Sequence, residues 1–471
     1  MGILLNLFAF IAIYVVSYVI THKMLPFVFV KSGRVLGFKM ALTPLTAKRV
    51  RRFQSIRRGY YCFLILSTGF IMSLGLELYV NNKPLRIQNG DHVQYPALAN
   101  WYNFWVPENM EAIDIALPKD FNLSGEGEID YRSFARWVDN PHQELENDAQ
   151  TLEDAILQDQ ARFQKALTKN AQQKGLEYDP KAPLPEFKER EYQNKREEAN
   201  YLRGLIPIFA SGQMDITMPI IPYTYNQQLL TLPGRPPHRP MQDGLPVLGT
   251  DFDGKDVLSQ LLYGFRVSFA FALIVATIGY LIGIVAGAAM GYFGGWFDIL
   301  VQRFIEVWSS IPFLFTIMII ASVMQPSFWV MAFLLVALRA WLGITYTVRG
   351  EFYREKSRDY VQAASAMGVG ETKIMLKHIL PNSLVPVVTY FPFEIVAYIG
   401  ALVSLDFLGF GLSADTPSWG KLLRQGAENI STYPHLVSIP VLAFAATLFC
   451  VVMIGEAVRE AFDPKVYARL R

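Results

Sequence analysis

The chain has 471 residues, of which 52% are hydrophobic, 14% aromatic and 18% charged, and its formal net charge is +2. Its mean hydropathy of +0.23 excludes an ordinary soluble enzyme and predicts an integral membrane protein. Both cysteines, Cys62 and Cys450, fall in apolar segments, so we expect neither a disulfide framework nor a cysteine metal site.

The N-terminal part of the sequence predicts two crossings around a basic segment. Residues 3–20 are almost all apolar and have no small-residue cleavage site, which favours a retained transmembrane helix over a signal peptide. Residues 21–59 carry many Lys and Arg but no Asp or Glu, so the positive-inside rule places them in the cytoplasm. Because apolar spans flank this segment, we expect no nucleic acid as its partner, and residues 60–80 then cross outward.

Residues 81–256 form a polar insertion with an excess of acids over bases, large enough to fold as an extracytoplasmic domain. Two charged helices are predicted within it, at residues 141–174 and 185–203, followed by a Pro-rich, extended part at residues 207–246. It has no cluster of Cys and His and no nucleophile beside a base, so we predict no catalytic or metal site. We expect its histidines to be solvated: His92, His142 and His238.

The insertion ends in the sequence GTDFDGKD at residues 249–256, which matches the spacing of a phosphate-binding loop. Asp256 stands where such a loop needs Ser or Thr, and the acids Asp251 and Asp253 would repel a triphosphate. We therefore reject nucleotide binding. Residues 257–265 then have the pattern of an amphipathic helix that lies on the outer membrane surface before the next crossing.

Five apolar segments follow and bring the predicted total to about seven crossings: residues 267–290, 304–324, 328–347, 384–412 and 435–458. Glycine recurs at every fourth position of the first segment, which predicts close helix packing; a pore-lining stripe is the alternative. The members of this glycine stripe are Gly279, Gly283, Gly287 and Gly291. The charge rule then places the N-terminus outside and the C-terminus in the cytoplasm.

Residues 359–381, within the predicted cytoplasmic loop 351–383, are too polar to cross a membrane and predict a helix, a turn and a second helix. Gly368 ends the first helix, and the second runs from residue 371 to 379 and ends at Pro381. The first helix carries the small residues Ala363 and Ala364, which suit a groove on another protein. An ordinary cytoplasmic helix pair is the alternative.

The order of residues in this segment resembles the EAA loop of ABC-importer permeases, with Gln362 where that family usually has Glu. The resemblance implies that the segment docks on a separate ATP-hydrolysing subunit. The residues that carry it are Tyr360, Gln362, Ala363, Ala364, Gly368, Leu380 and Pro381.

Residues 249–256 likewise resemble the GTDxxGRDV signature of dipeptide and oligopeptide permeases, with Lys255 in place of Arg. The matching positions are Gly249, Asp251, Gly254 and Asp256. The segments SLDFLGFGL, PSWGKLL and GEAVREAFDP follow in the family's order. SLDFLGFGL and GEAVREAFDP, together with NNKPL and IPYTY in the insertion, look most like its Yej-type branch, which resembles permeases for oligopeptides and peptide antibiotics such as microcin C. The crossing at residues 3–20 and the helices at residues 143–203 depart from the usual family pattern.

The resemblance implies an all-α polytopic membrane protein with the type I ABC-importer permease fold and a large mixed extracytoplasmic insertion. Residues 257–471 would be the permease core of a non-catalytic pore subunit in the bacterial inner membrane, without cofactor or metal. The implied partners are ATP-binding cassette ATPase subunits, a second permease subunit that completes a heterodimer, an extracytoplasmic peptide-binding protein and membrane lipid.

Charged residues at membrane depth are costly and often functional. Four such residues are candidates for the translocation path: Glu306, Arg339, Glu394 and Asp406. The two acids Glu394 and Asp406 lie about three turns apart on one predicted crossing, and we expect them on a similar face. Our hypothesis is that one or both meet the positive end of a peptide. The alternative is that they pair with Arg339 or lie at helix ends in headgroup water.

Two other classes of function stay open from the sequence. A proton-coupled secondary transporter would use the buried acids as proton sites, and uptake without any ATPase would favour it. A membrane-anchored extracytoplasmic binding or sensory module would act through the insertion, and tight ligand binding by the isolated domain would favour that class.

Overall fold

The computed structural model describes residues 15, 44–89, 92–105, 131–173, 185–212, 214–229, 232, 234–242 and 245–462. Apart from residue 15, the predicted crossing at residues 3–20 lies outside this part of the chain, as do most of the basic segment and the tail after residue 462. The chain divides into two compact units, and each is described by itself. Residues 77–223 belong to the insertion unit, whereas residues 8–76 and 224–471 belong to the membrane unit.

The described chain begins with two helices, α1 (Pro44–Ser55) and α2 (Arg57–Ser73). The crossing predicted at residues 60–80 consists of α2 and a separate short helix, α3 (Leu76–Tyr79). With 17 residues, α2 is about 25 Å long, a little less than the roughly 30 Å hydrocarbon core of a bilayer.

The insertion unit combines a small sheet with a long helical hairpin. The elements that follow α3 are β1 (Arg86–Asn89), β2 (His92–Gln94), α4 (Pro96–Trp105), α5 (Tyr131–Asp139), α6 (Pro141–Gln173), α7 (Glu186–Ala210) and β3 (Met214–Thr217). The antiparallel strands run in the order β2, β1, β3, with Ile87 opposite both Gln94 and Ile216. Helices α6 and α7 confirm the two predicted charged helices.

Apolar contacts hold the two long helices together, and ion pairs fix their register. Phe134, Leu145 and Phe209 are buried in one core of the insertion unit. On the outside, Arg203 pairs with Glu146 at 3.0 Å and with a second carboxylate of α6 at 2.8 Å. Because these pairs are partly exposed, they contribute more to alignment than to stability.

From residue 257 onward, the described part of the membrane unit consists of helices joined by loops. Its elements are α8 (Val257–Phe293), α9 (Gly295–Ser309), α10 (Phe313–Val323), α11 (Phe328–Leu335), the π-helix π1 (Val336–Ala340), α12 (Leu342–Lys356), α13 (Asp359–Ala366), α14 (Glu371–Lys373), the π-helix π2 (Ile374–Ile379), α15 (Leu380–Leu408), α16 (Trp419–Glu428) and α17 (His435–Phe462).

Three helices of the described chain are long and apolar enough to cross a membrane: α8, the continuous run Glu371–Leu408, and α17. Two bent pairs pass the same test together, so up to five crossings are present in this part of the chain. The first pair, α9 and α10, bends by 61° just before Pro312, whose missing N–H interrupts the helix. The second pair, Phe328–Ala340 and α12, bends by 42°.

Helix α8 packs against α12 along the glycine stripe. A Cβ on Gly283 would lie 2.1 Å from the Ile344 side chain, and one on Gly287 would lie 2.4 Å from the Thr345 carbonyl oxygen. A Cβ on Gly291 would likewise meet Phe352 and Arg349 of α12, whereas one on Gly279 would meet Ala340 of π1. The predicted packing role is confirmed, because the two backbones approach more closely than any side chain allows.

The separate surface helix predicted at residues 257–265 is wrong, because α8 runs unbroken from Val257 to Phe293. Val257 and Leu261 are buried in the main core of the membrane unit. The polar Arg266 of the same stretch is also buried and donates to the Ser73 carbonyl at 3.2 Å. Because these side chains are buried and bonded inside the protein, the start of α8 does not lie on the membrane surface.

We predict that Gly283→Ala lowers the melting temperature of the detergent-solubilised protein. The added methyl group must displace Ile344 or the Trp341 carbonyl, which lies 2.7 Å from the Cβ position. Overpacking of this kind costs roughly 1–3 kcal/mol. Gly350→Ala on α12 is the control, since no atom lies within 4 Å of its Cβ position and Ala favours helix. Equal melting temperatures for the two variants would contradict the close contact.

Candidate functional site

The predicted helix-turn-helix, residues 359–381, turns through a Schellman motif after α13. The Val369 N–H bonds the Ala364 carbonyl at 3.1 Å, and the Gly368 N–H bonds the Ser365 carbonyl at 2.9 Å. Gly368 has φ of +75°, in the left-handed region that favours glycine. The predicted helix stop at Gly368 is thereby confirmed.

Helix α13 has one buried and one exposed face. Val361 and Ala364 are 4% and 3% exposed and join the same apolar core as the end of α12. Gln362, Ala363 and Met367 are exposed on the opposite face. Of the two neighbouring alanines that the sequence pattern groups together, Ala364 therefore belongs to the core and Ala363 is available to a partner.

Tyr360 links this segment to the helices on either side. Its hydroxyl donates to the Glu355 carboxylate at 2.7 Å and accepts from the Asn382 amide at 3.0 Å. Glu355 lies at the end of α12, and Asn382 lies near the start of α15. Burial and the bond to Glu355 raise the pKa of Tyr360 above its ordinary value, so the hydroxyl keeps its proton.

The second helix does not end at Pro381, as the sequence predicts, but continues to Leu408. Leu380 is half-buried and Pro381 is exposed, and both directly follow π2. The wider turn of a π-helix accommodates a proline whose missing N–H and bulky ring would interrupt a regular α-helix. The helix-turn-helix segment thus runs without a break into a candidate membrane span.

The signature loop, residues 249–256, is organised by the buried carboxylate of Asp251. One oxygen accepts the N–H groups of Asp253 at 3.0 Å and Lys255 at 2.8 Å, and the other accepts the Gln260 amide at 2.8 Å. Burial raises the pKa of Asp251 above its ordinary value, while the bonds from Lys255 and Gln260 act in the opposite direction. Asp251 therefore has a structural role in this loop.

The other signature residues close the loop and start α8. Asp256 is the N-cap of α8 and accepts two backbone N–H groups of its first turn. Gly249 and Gly254 have φ of +74° and +78°, and a Cβ on Gly249 would lie 2.2 Å from the His238 carbonyl oxygen. The prediction of a solvated His238 is wrong: the ring is buried, with Nδ1 2.9 Å from the Thr250 hydroxyl oxygen.

The starts of α8 and α16 are locked together by a tryptophan. Trp419 is 2% exposed, and its Nε1 donates to the Leu261 carbonyl at 3.0 Å. A Cβ on Gly264 would lie 2.9 Å from the Trp419 ring, so glycine is required for this contact. Two sequence motifs that are far apart in the chain therefore form one assembly.

Asp406, at the end of α15, belongs to the same assembly. It is 2% exposed and accepts from the Leu412 N–H at 2.7 Å and from the Ser418 hydroxyl. Nearby, Lys421 donates to the Thr416 carbonyl at 2.7 Å, and burial lowers the pKa of Lys421 below its ordinary value. These contacts give Asp406 a structural role in the loop between α15 and α16.

Glu394 and Asp406 share α15, but their surroundings differ. The 12 residues that separate them advance about 1,200° around the helix, which leaves their side chains about 120° apart. The predicted similar face is therefore wrong. Glu394 is half-buried and lies close to the hydroxyls of Tyr280 and Tyr398, whereas Asp406 faces the loop.

The other two charged candidates lie elsewhere: Glu306 is half-buried on α9, and Arg339 is exposed on π1. Glu306 accepts from Arg303 at 2.5 Å and from Gln302 at 3.1 Å, both on its own helix α9. Arg339 is exposed on π1, and its guanidinium lies 5.7 Å from the centre of the Phe313 ring. The structure thus does not bring the four charged candidates together. Tyr398 connects two of them, because it follows Glu394 by about one turn on α15 and its hydroxyl donates to the carbonyl of Ala340, the residue after Arg339, at 3.3 Å.

One ion pair that the sequence analysis did not identify joins α9 to α12. Asp298 is 4% exposed and accepts from two guanidinium nitrogens of Arg349, each at 2.6 Å, and from the Tyr353 hydroxyl at 2.5 Å. An acid in an apolar segment is a signal of such a pair, but the sequence does not name its partner. Nowhere in the described ranges are three His, Cys, Asp or Glu side chains grouped as a metal site.

Residues 279–467 match the family model described as "Binding-protein-dependent transport system inner membrane component". Over 423 residues the chain is 34% identical to the "Inner membrane ABC transporter permease protein YejE" of Escherichia coli, a match that covers 90% of this chain and 98% of that protein. The residues that match the family model include π1, the helix-turn-helix and Trp419.

Two other relatives match a shorter part of the chain. The "Peptidoglycan transport system permease protein YejE" of Agrobacterium fabrum is 44% identical over 218 residues, which are 46% of this chain and 57% of that protein. The "Oligopeptide transport system permease protein OppC" of Haemophilus influenzae is 37% identical over 226 residues, 48% of this chain and 72% of that protein.

We predict that Asp251→Ala lowers the melting temperature in detergent, because the buried Gln260 amide and two partly buried backbone N–H groups lose their acceptor. Each donor left unsatisfied costs about 1–3 kcal/mol. Asp415→Ala is the control, since Asp415 is an exposed acid in the loop before α16. If both variants melt together with wild type, the loop does not depend on Asp251.

Proposed function

Because this chain belongs to the family of binding-protein-dependent transport system inner membrane components, we propose that it is the permease subunit of an ATP-driven peptide importer. It is a multi-pass protein of the inner membrane, and its family works with ATPase partners. Its relatives carry the names of oligopeptide and peptidoglycan transport permeases, which supports peptides as the substrate class. The chain is a pore subunit without catalytic chemistry of its own.

The observation that supports this proposal best is that α13 has one exposed face and one face buried in the core. Gln362, Ala363 and Met367 lie on that face, and the short side chain of Ala363 leaves room for a partner's groove. Val361 and Ala364 fix the other face to the core. The helix is therefore a rigid docking element for an ATPase subunit rather than a loose loop.

Force applied to α13 has two routes into the membrane unit. One is the hydrogen bond from Tyr360 to Glu355, which reaches α12. The other is the helix that starts at Glu371 and runs through Leu380 and Pro381 into α15. ATP-driven closure of two ATPase subunits moves α12 and α15 through these routes and switches the pore between outward-open and inward-open states.

One chain supplies half of such a pore. A second permease subunit completes the heterodimer, and it covers part of the apolar surface on α9 and α10, where Val307, Phe315 and Val323 are exposed. Residues 81–256 lie outside the cell membrane, where an extracytoplasmic peptide-binding protein delivers substrate, and residues 257–471 form the permease core. The N-terminus is outside and the C-terminus is cytoplasmic, as the charge rule favours.

Glu394 is the acid best placed to line the translocation path. It is half-buried in the middle of α15, next to tyrosine hydroxyls, and so remains accessible to a ligand. A carboxylate at this depth attracts the positive N-terminus of a peptide. Asp406 and Glu306 are candidates of lower rank, because their oxygens already accept bonds from Ser418, Leu412, Arg303 and Gln302.

We predict that Ala363→Asp prevents co-purification of the ATPase subunits in detergent and leaves the melting temperature unchanged. The new carboxylate enters the docking face without touching the core, since Ala363 is exposed. Ala414→Asp makes the same change at an exposed alanine before α16 and should retain the ATPases. Gly368→Asp should also release them, but its positive φ adds backbone strain, so its stability has to be measured alongside.

Wild-type protein that binds no ATPase would contradict the proposed function. Uptake that persists without any ATPase would then favour the proton-coupled secondary transporter.

We predict that Glu394→Gln folds normally and reduces peptide uptake into proteoliposomes severalfold, because the attraction to the peptide N-terminus is lost. Asp406→Asn instead lowers the melting temperature, since an amide has a single acceptor oxygen and cannot replace both carboxylate oxygens, which accept from the Leu412 N–H and the Ser418 hydroxyl. Unchanged uptake by a normally folded Glu394→Gln or Asp406→Asn variant would remove that residue from the path.

A further inference from the structure

Arg339 combines a position at mid-span with an exposed side chain. It lies in π1, between α11 and α12, at the break of the bent pair that runs from Phe328 to Lys356. Its ring contact is Phe313, and in the part of the chain that the structure describes no Asp or Glu forms an ion pair with it. A guanidinium in this position is therefore charged and without a carboxylate of its own.

Side-chain donors bond the backbone carbonyls of the π-turn that carries Arg339. They come from α9, from α15 and from Trp341, which directly follows the turn. The indole N–H groups of Trp308 and Trp341 both donate to the Ala337 carbonyl at 3.0 Å, and the Tyr398 hydroxyl donates to the Ala340 carbonyl at 3.3 Å. A π-turn disturbs the regular backbone bonding and leaves carbonyl groups that need such donors. Because three side chains satisfy them, the turn and the place of Arg339 are fixed features of the fold.

A charged arginine at this depth cannot face lipid without a large cost, so it faces a water-filled cavity or another protein. The guanidinium carries a planar fork of donors that matches a carboxylate. Glu394 lies in the same region, since it precedes Tyr398 by about one turn of α15, and the Tyr398 hydroxyl donates to the carbonyl of Ala340, the residue after Arg339. Arg339 and Glu394 thus offer one positive and one negative side chain near Tyr398. A ligand with both a carboxylate and an ammonium group requires such a pair.

We propose that Arg339 binds the C-terminal carboxylate of a peptide in transit. This inference rests on the proposed function and adds a subsite to it. The peptide carboxylate replaces water on the exposed guanidinium, and the aromatic ring of Phe313 supports the planar group from one side. Preference for a free carboxylate is then a property of the pore and adds to any preference of the binding protein.

The test compares an alanine tripeptide with its C-terminal amide, in proteoliposomes that contain the complete transporter and the binding protein. We expect wild type to transport the free acid with the higher kcat/KM. Arg339→Gln should lower kcat/KM for the acid about tenfold and leave the amide nearly unchanged, so that the preference disappears. Arg339→Lys should keep part of the preference, because it retains the charge but loses the fork.

Arg424→Gln is the matched control, since Arg424 is exposed on α16, and it should keep the wild-type ratio. Two results would overturn the inference: equal transport of acid and amide by wild type, or an Arg339→Gln variant that slows both peptides to the same degree. The second result would assign Arg339 to a carboxylate of the second permease subunit. Wild type that transports neither peptide would overturn the proposed function itself, which separates the two failures.

Discussion

The close contact between α8 and α12 is the interaction on which the membrane unit depends. Helices in a membrane gain little from hydrophobic exclusion of each other, so they associate through close packing and internal polar bonds. Here the glycine stripe brings the backbones together, and Gly287 lies against the Thr345 carbonyl. The pair of Asp298 and Arg349 then ties α9 to the same helix. Both π1 and the docking helix α13 are connected directly to α12, so their positions follow from this contact.

Polar bonding separates structural charges from functional ones in this chain. The oxygens of Asp251, Asp298 and Asp406 are occupied by donors from their own surroundings, and all three residues are at least 95% buried. Such carboxylates hold loops and helix contacts in place. Donors surround all three, because burying a carboxylate without hydrogen-bond partners would be too costly. Arg339 and Glu394 differ, because they stay at least partly accessible at membrane depth. Accessibility together with depth, rather than charge alone, marks them as candidates for contact with a ligand.

Local patterns predicted the parts of the fold that depend on neighbours in sequence. The glycine repeat of α8 and the stop at Gly368 are of this kind, because helix periodicity and a left-handed cap are properties of short segments. The sequence predicted a helix from residue 257 but placed it on the membrane surface, since the burial of the first turn of α8 depends on Trp419, far along the chain. The same limit explains the wrong end at Pro381: a π-turn next to a proline has no simple local signature. For the candidate site, the sequence located the docking segment but could not separate Ala363 from Ala364, because that distinction depends on which face meets α12.

The stiffness of α12 determines how a small movement at the docking helix is converted into a large one. Its 15 residues form a rod about 22 Å long, with the Tyr360 bond at one end and π1 at the other. A rod of this length that pivots by about 10° moves its free end on the order of 4 Å. The turn at π1 is the joint of this lever, because it interrupts the regular bonding of the helix while side-chain donors from α9 and α15 hold it in place. Arg339 lies at this joint. A force applied at the far end of α12 therefore acts most directly on the position of Arg339.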